Sequence, residues 1–233
     1  MYSIKQTVTT SKTDRNGQLK LFSAFQMMQD CSEMWIESEP TVKKYFGQQN
    51  MTQLLASREV EVVRVPSFLE NLTICTGVFD CKEVYGFRNT FIYDEYGNVC
   101  YKSWSMGAFI DKTTGRLSKL SEEVIHSILY DEKLDMNYGE RRIRLPQSET
   151  ETFPGVLVQR NDIDYNGHLN NAHYIRIALE YLPEDFTIHG IRVEYKKAMR
   201  LGELITPKII RGNKTFYVML YSENTVSAII EFN

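Results

Sequence analysis

Apolar positions near the start of the chain cluster at helical spacing, and Phe22, Ala24, Phe25, Met27 and Met28 predict a helix over residues 24–37. Ser23 and Gln26 read as a capping box for it, with Phe22 and Met27 as the hydrophobic staple. A helix apolar over so much of its surface is buried on several sides, so Met27, Met28 and Met34 read as core packing rather than a cofactor site. Period-two patterns then take over and predict strands at 54–65, 72–79, 87–93 and 99–110. The first of these stops at Pro66, where a ladder loses a donor. Asp94-Glu95-Tyr96-Gly97-Asn98 is a five-residue hairpin loop, and a short helix is expected over 121–129. Periodicity fades between 131 and 159, which reads as a linker plus one strand. A second helix follows, striped by Ala172, Ile175, Ala178, Leu179 and Leu182, and then strands at 188–195, 204–211, 215–222 and 226–232.

The pattern repeats. Asp14-Arg15-Asn16-Gly17-Gln18-Leu19 and Asp164-Tyr165-Asn166-Gly167-His168-Leu169 lie 150 residues apart (164 minus 14), agree at four of six positions, and each precedes a helix. Further on, Arg58-Glu59-Val60-Glu61-Val62 is similar to the segment Gly190 to Tyr195 as the opening of a strand. A spacing this long indicates a duplicated domain rather than a solenoid. Each half then reads as turn, helix and antiparallel meander, an α+β class in which a sheet buries the helix by wrapping around it. The division is expected at 1–135 and 136–233.

The second copy of the motif carries candidate chemistry. Asp164, Asn166 and His168 stand at alternate positions and share one face if the segment runs extended. A carboxylate, an amide and an imidazole form a hydrolytic kit, with His168 as general base, Asp164 as orienter and Asn166 positioning water or substrate. A polar loop capping a helix fits the same residues. Asn170 and Asn171 read as caps and as substrate-facing positions, because a helix N-terminus presents N–H groups and a positive dipole. His173 reads as a surface or packing residue, and Gln18 as a non-chemical counterpart of His168.

Bulk properties narrow the classes. The formal charge of −3 argues against a general nucleic-acid binder, and no run is long and apolar enough to span a membrane, so a cytoplasmic location is the expectation. Cys31, Cys75, Cys81 and Cys100 all lie in the first half, at spacings that match no zinc template, and no metal or organic cofactor is implied.

The stretch from Arg160 through Asp164-Tyr165-Asn166-Gly167-His168-Leu169-Asn170-Asn171 to Ile175 resembles the signature of acyl-acyl carrier protein thioesterases. Ser57-Arg58, Val65-Pro66-Ser67-Phe68 and Trp104 through Arg116 are similar to that family's N-terminal half. The resemblance implies two tandem hot-dog domains, the first non-catalytic and shaping an acyl pocket, the second hydrolysing acyl carrier protein thioesters. It implicates Asp164, Asn166 and His168 in hydrolysis, by activated water or by direct attack of Asp164 to give an anhydride. It also makes an acyl carrier protein the partner, to be received by a basic cluster: Arg141, Arg142 and Arg144, or Lys196, Lys197 and Arg200. One departure stands out: where plant-type members carry a Glu-Cys pair, this chain has Ala198-Met199, which removes both the carboxylate and any cysteine nucleophile. Glu194 and Glu203 lie nearby without an assignable role. A thioesterase acting on coenzyme A thioesters, a hot-dog hydratase and a non-catalytic acyl-thioester-binding protein are the rival readings. The hydratase is disfavoured because its His sits one residue further along, in a loop that carries a Pro. A monomer and a homodimer are both compatible with the sequence.

Overall fold

The computed structural model describes residues 1–233, which divide into two compact units. Unit 1 comprises Met1–Ala56 and Val60–Tyr138; unit 2 comprises Ser57–Glu59 and Gly139–Asn233. No helix is long and apolar enough to cross a membrane.

Unit 1 runs β1 (Tyr2–Thr7), α1 (Leu21–Ser38), α2 (Pro40–Gln48), β2 (Met51–Val62), β3 (Asn71–Lys82), β4 (Tyr85–Tyr93), β5 (Val99–Asp111) and α3 (Glu122–Ser127). Its strands lie in the order β1-β3-β4-β5-β2, with antiparallel pairing through β1, β3, β4 and β5. Helix α1 packs on β1, β3 and β4 and buries Ala24, Phe25, Met27, Met28 and Cys31 almost completely. Met34 departs from expectation. It is 47% exposed, because it falls on the outer face of α1. The helix also begins at Leu21 rather than at 24, so Ser23 and Gln26 lie inside its first two turns and form no capping box. The start comes instead from the preceding loop, where Lys20 N–H donates to Lys12 O at 2.9 Å. Helix α2 has no counterpart in the sequence reading. Its nine residues carry few apolar positions, and it is held by Val42, Tyr45 and Phe46 packing against Trp35, Phe109, Leu120 and Val124.

Unit 2 runs β6 (Glu151–Thr152), β7 (Val156–Leu157), α4 (Asn171–Leu179), β8 (Gly190–Tyr195), β9 (Leu204–Arg211), β10 (Phe216–Ser222) and β11 (Thr225–Phe232). Its order is β8-β11-β10-β9, all antiparallel, with β6 and β7 both pairing on β9. Helix α4 packs on β10 and β11 through Ala172, Ile175 and Ala178, which are 1%, 0% and 0% exposed. Each unit is therefore a helix buried by an antiparallel sheet, the hot-dog arrangement. Truncating Ile175 to alanine leaves a void that the sheet cannot collapse into, and a loss of about 2–5 kcal/mol is expected on chemical denaturation. Met34→Ala, on an exposed surface, should fall within about 0.5 kcal/mol of wild type.

The repeat is visible in the backbone. Val8 and Val158 are both buried, and their N–H groups donate to Glu70 O and Glu203 O. Leu19 and Leu169 N–H donate at 2.7 Å to Pro66 O and Met199 O. The same bonds thus recur at fixed offsets, which identifies the two halves as copies of one design.

Candidate active site

Both units build the same structure ahead of their long helix. A 3-10 turn (Thr10–Lys12 or Arg160–Asp162) enters a five-residue loop closed by a bridge, Thr13 to Leu19 or Ile163 to Leu169. In unit 2, Asp164 N–H donates to His168 O at 2.8 Å and Gly167 N–H to Asp164 O at 3.0 Å. The Asp164 carboxylate folds back over the loop, and Oδ1 accepts from the N–H of Asn166 at 2.8 Å and of His168 at 3.2 Å. Unit 1 repeats this bond for bond: Asp14 Oδ1 accepts from the N–H of Asn16 and Gln18 at 2.8 and 2.9 Å. Gly17 and Gly167, with φ of 75° and 77°, occupy the left-handed corner that favours glycine. Asp94, Gly97 and Asn98 make the loop a third time, with Asp94 Oδ1 accepting from the N–H of Tyr96 and Asn98.

This geometry revises the extended-strand picture. Asp164 and His168 do face one another across the loop base, but through a hairpin rather than by alternation along a strand. Asn166 sits at the exposed tip. Oδ1 of Asp164 is committed to the loop backbone, as it is in two copies that lack the histidine. What distinguishes unit 2 is the half-buried His168 where unit 1 has Gln18.

Asn170 is the N-cap of α4, and its Oδ1 accepts from Ala172 N–H at 2.9 Å. His173 N–H goes to Asn170 O at 2.9 Å. Of the first-turn amides, those of Ala172 and His173 are thus already engaged, which narrows the helix-terminus expectation to Asn171 N–H. The Asn171 carbonyl accepts from Tyr195 OH at 3.1 Å.

The floor beneath the loop is specific to unit 2. Met199 N–H donates to Tyr174 OH at 3.1 Å, and the Tyr174 and Tyr195 rings meet edge to face at 5.5 Å. In unit 1 the place of Met199 is taken by Pro66, which has no N–H to satisfy, and Tyr174 is replaced by Ala24. Burial pushes the Tyr174 phenol up to about 12, with Glu203 and Asp164 adding to the rise against the Met199 N–H that lowers it. Tyr174 is thus a neutral phenol at physiological pH. Met199 is fully buried, so this step of the chain offers packing and no nucleophile.

The sequence reading also missed the surroundings of Asp162. This carboxylate is 8% exposed and accepts from Gln159 N–H, His173 Nδ1 and Arg176 Nη2, each at 2.9 Å. Burial raises its pKa, but those donors together with the Arg176 charge outweigh it and hold the carboxyl below its ordinary value. His173 is therefore a hydrogen-bond partner of Asp162 on α4 rather than a surface residue. The available signal was the Asp-x-Asp run Asp162-Ile163-Asp164, of which only the second member drew notice. Of the two carboxylates near the Ala198 departure, Glu194 is taken by Lys196 at 3.0 Å and by Ile143 N–H at 3.2 Å. Glu203 accepts from Ser222 Oγ at 3.1 Å. No group of three or more His, Cys, Asp or Glu side chains is arranged to hold a metal ion.

Comparison with known proteins adds the following. The family model for the acyl-ACP thioesterase N-terminal domain matches residues 1–128, and that for the acyl-ACP thioesterase C-terminal domain matches residues 146–233. A chloroplastic acyl-[acyl-carrier-protein] hydrolase of Cuphea viscosissima is 25% identical over 161 residues, covering 65% of this chain and 39% of the hydrolase. The chain spans less than half the length of the curated relatives it matches. Among solved structures, an acyl-ACP thioesterase from Bacteroides thetaiotaomicron superposes with a TM-score of 0.89 at 19% identity, covering 99% of this chain and 96% of the other. The 12:0-ACP thioesterase from Umbellularia californica gives 0.85 at 14% identity, with coverages of 99% and 96%. At these identities the superpositions establish the fold, two hot-dog units in tandem.

Proposed function

We propose, because this chain belongs to the acyl-ACP thioesterase family, that it hydrolyses fatty acyl thioesters of acyl carrier protein to free fatty acid and carrier protein. The observation that carries the reading is His168, set on the loop ahead of α4 in the unit matched by the family's C-terminal model. In this mechanism His168 accepts a proton from water as the water oxygen attacks the thioester carbonyl carbon. The oxyanion is met by Asn171 N–H and the positive end of α4. Collapse breaks the C–S bond, and the leaving thiolate takes the proton back from the imidazolium. Asn166 at the loop tip positions the water or the thioester. Water is favoured over Asp164 as the attacking group, since two backbone N–H groups stabilise the charge on Asp164 Oδ1 and reduce its nucleophilicity. Oδ2 makes no hydrogen bond within the protein and is available to orient the imidazole or the water.

In this reading unit 1 shapes the acyl pocket, as the family resemblance implies. The apolar gap among Trp35, Val42, Phe46, Phe109, Leu120 and Ile128 has a volume of only about 20 Å³ and belongs to the packed core, so an acyl chain enters there only if these side chains move apart. For the carrier protein the two basic clusters stand equal: Arg144 is paired with Glu140 and Lys196 with Glu194, while Arg141 and Arg142 in the one and Lys197 and Arg200 in the other are exposed cations.

Free-thiol release from matched acyl carrier protein and coenzyme A thioesters of graded chain length tests the proposal. Faster release from the carrier-protein series supports it. Preference for coenzyme A moves the substrate class, and binding without release at every chain length makes the protein a non-catalytic binding module.

A further inference from the structure

We propose that Asp162, His173 and Arg176 form an ionic tie whose role is to position the Asp164–His168 loop for chemistry, not to make it fold. The inference rests on reading that loop as the hydrolytic site. One carboxylate gathers the elements that frame it: Asp162 holds the entry turn through Gln159 N–H and two positions of α4 through His173 and Arg176. Its own carbonyl accepts from the N–H of Asn170, the helix cap, at 2.9 Å. Everything between Asp162 and Asn170 is the loop, so both of its ends are referred to a single residue.

Unit 1 is the internal control. The corresponding positions, 150 residues earlier, are Lys12, Ser23 and Gln26. No carboxylate is present, and Lys12 turns away to Gln6. Yet Lys12 O still accepts from Lys20 N–H at 2.9 Å, the Thr13–Leu19 bridge still forms, and Asp14 grips its loop in the same way. The loop therefore closes on backbone bonds and its first Asp alone. A low-exposure carboxylate with a histidine and a guanidinium is costly to desolvate and is weak evidence for stability. Its presence only beside His168 points to placement of that side chain relative to the α4 terminus. Errors of about 1 Å in such placement cost roughly 100-fold in rate.

The test compares wild type with the triple variant Asp162→Asn/His173→Ser/Arg176→Gln, which removes the charges together and takes the unit 1 residues on the helix. Expected are a thermal midpoint and KM close to wild type, and a kcat lower by about 10- to 100-fold. Hydrogen exchange at the Asn166 and His168 amides should quicken about tenfold, while Asn16 and Gln18 stay unchanged as references. His173→Asn, whose amide nitrogen can stand where Nδ1 stood, should recover kcat relative to His173→Ser. Unchanged kcat with unchanged exchange overturns the proposal. So does a kcat loss that merely tracks a lost folded fraction, since the tie would then be structural. The failures are separable. If His168→Ala is inactive and the triple variant behaves as wild type, the tie alone is wrong. If His168→Ala retains full turnover, the reading of the loop is wrong. If no thioester is hydrolysed at all, the exchange measurement still decides whether the tie orders the loop.

Discussion

Replacing His168 by glutamine is expected to lower the turnover of thioester hydrolysis by roughly 10²–10⁴-fold and to leave the folded state intact. The internal repeat supports both halves of that expectation. In unit 1 a glutamine, Gln18, occupies the same loop position with the same backbone bonds, so the loop accepts the substitution without strain. The contribution of His168 to the loop is made by its N–H and C=O, which any residue supplies. What glutamine cannot supply is a group that takes a proton near neutral pH. Steady-state thiol release and a thermal melt on the same preparation check the two parts together. Full turnover in His168→Gln would move the general base elsewhere.

The second large effect separates architecture from chemistry at the aspartates. Asp164→Ala and Asp14→Ala remove the same two bonds to backbone N–H groups, in copies of one loop. Each is expected to cost about 1 kcal/mol of stability, the usual worth of such a bond near the surface. Their effects on hydrolysis should differ. Asp164→Ala loosens the segment that carries His168 and takes away a charge beside it, so turnover should fall by at least about 100-fold. Asp14→Ala should leave it within about threefold, since Gln18 has no proton to move. Denaturant midpoints and thiol release for the pair check this. Equal losses of activity would mean that Asp164 acts only through global stability.

These aspartates also show where the sequence was legible and where it was not. The duplication was readable because the loop demands particular residues. An Asp takes two backbone amides and, three positions on, a Gly takes positive φ, so identity persists at those places. The same demand explains why the spacing of Asp and Asn overstated the chemistry. Asp94-Glu95-Tyr96-Gly97-Asn98 meets it too, in an ordinary hairpin. Most strands were legible because one buried face imposes a period of two. Helix α2 was not, because its few apolar residues acquire meaning only against Trp35 and Phe109. Ser23 looked like a cap because cap signals are local, but the helix start was set by Lys12, eight residues before the cap position, through the closed loop.

The chain by itself determined the two-fold repeat, the helix and strand content, the family resemblance and the identity of the one histidine placed on a repeated loop. These rest on local rules, in which side-chain periodicity and turn chemistry act within a few residues. Only the tertiary structure decided that Asp164 Oδ1 serves the backbone, that Tyr174 closes the Met199 amide twenty-five residues away, and that Asp162 joins His173 and Arg176. Those are pairings of polar groups across a folded loop. A polar residue's pattern is the same whether it faces water or a partner, and folding alone selects between them, because burying a donor or a charge without an acceptor is costly.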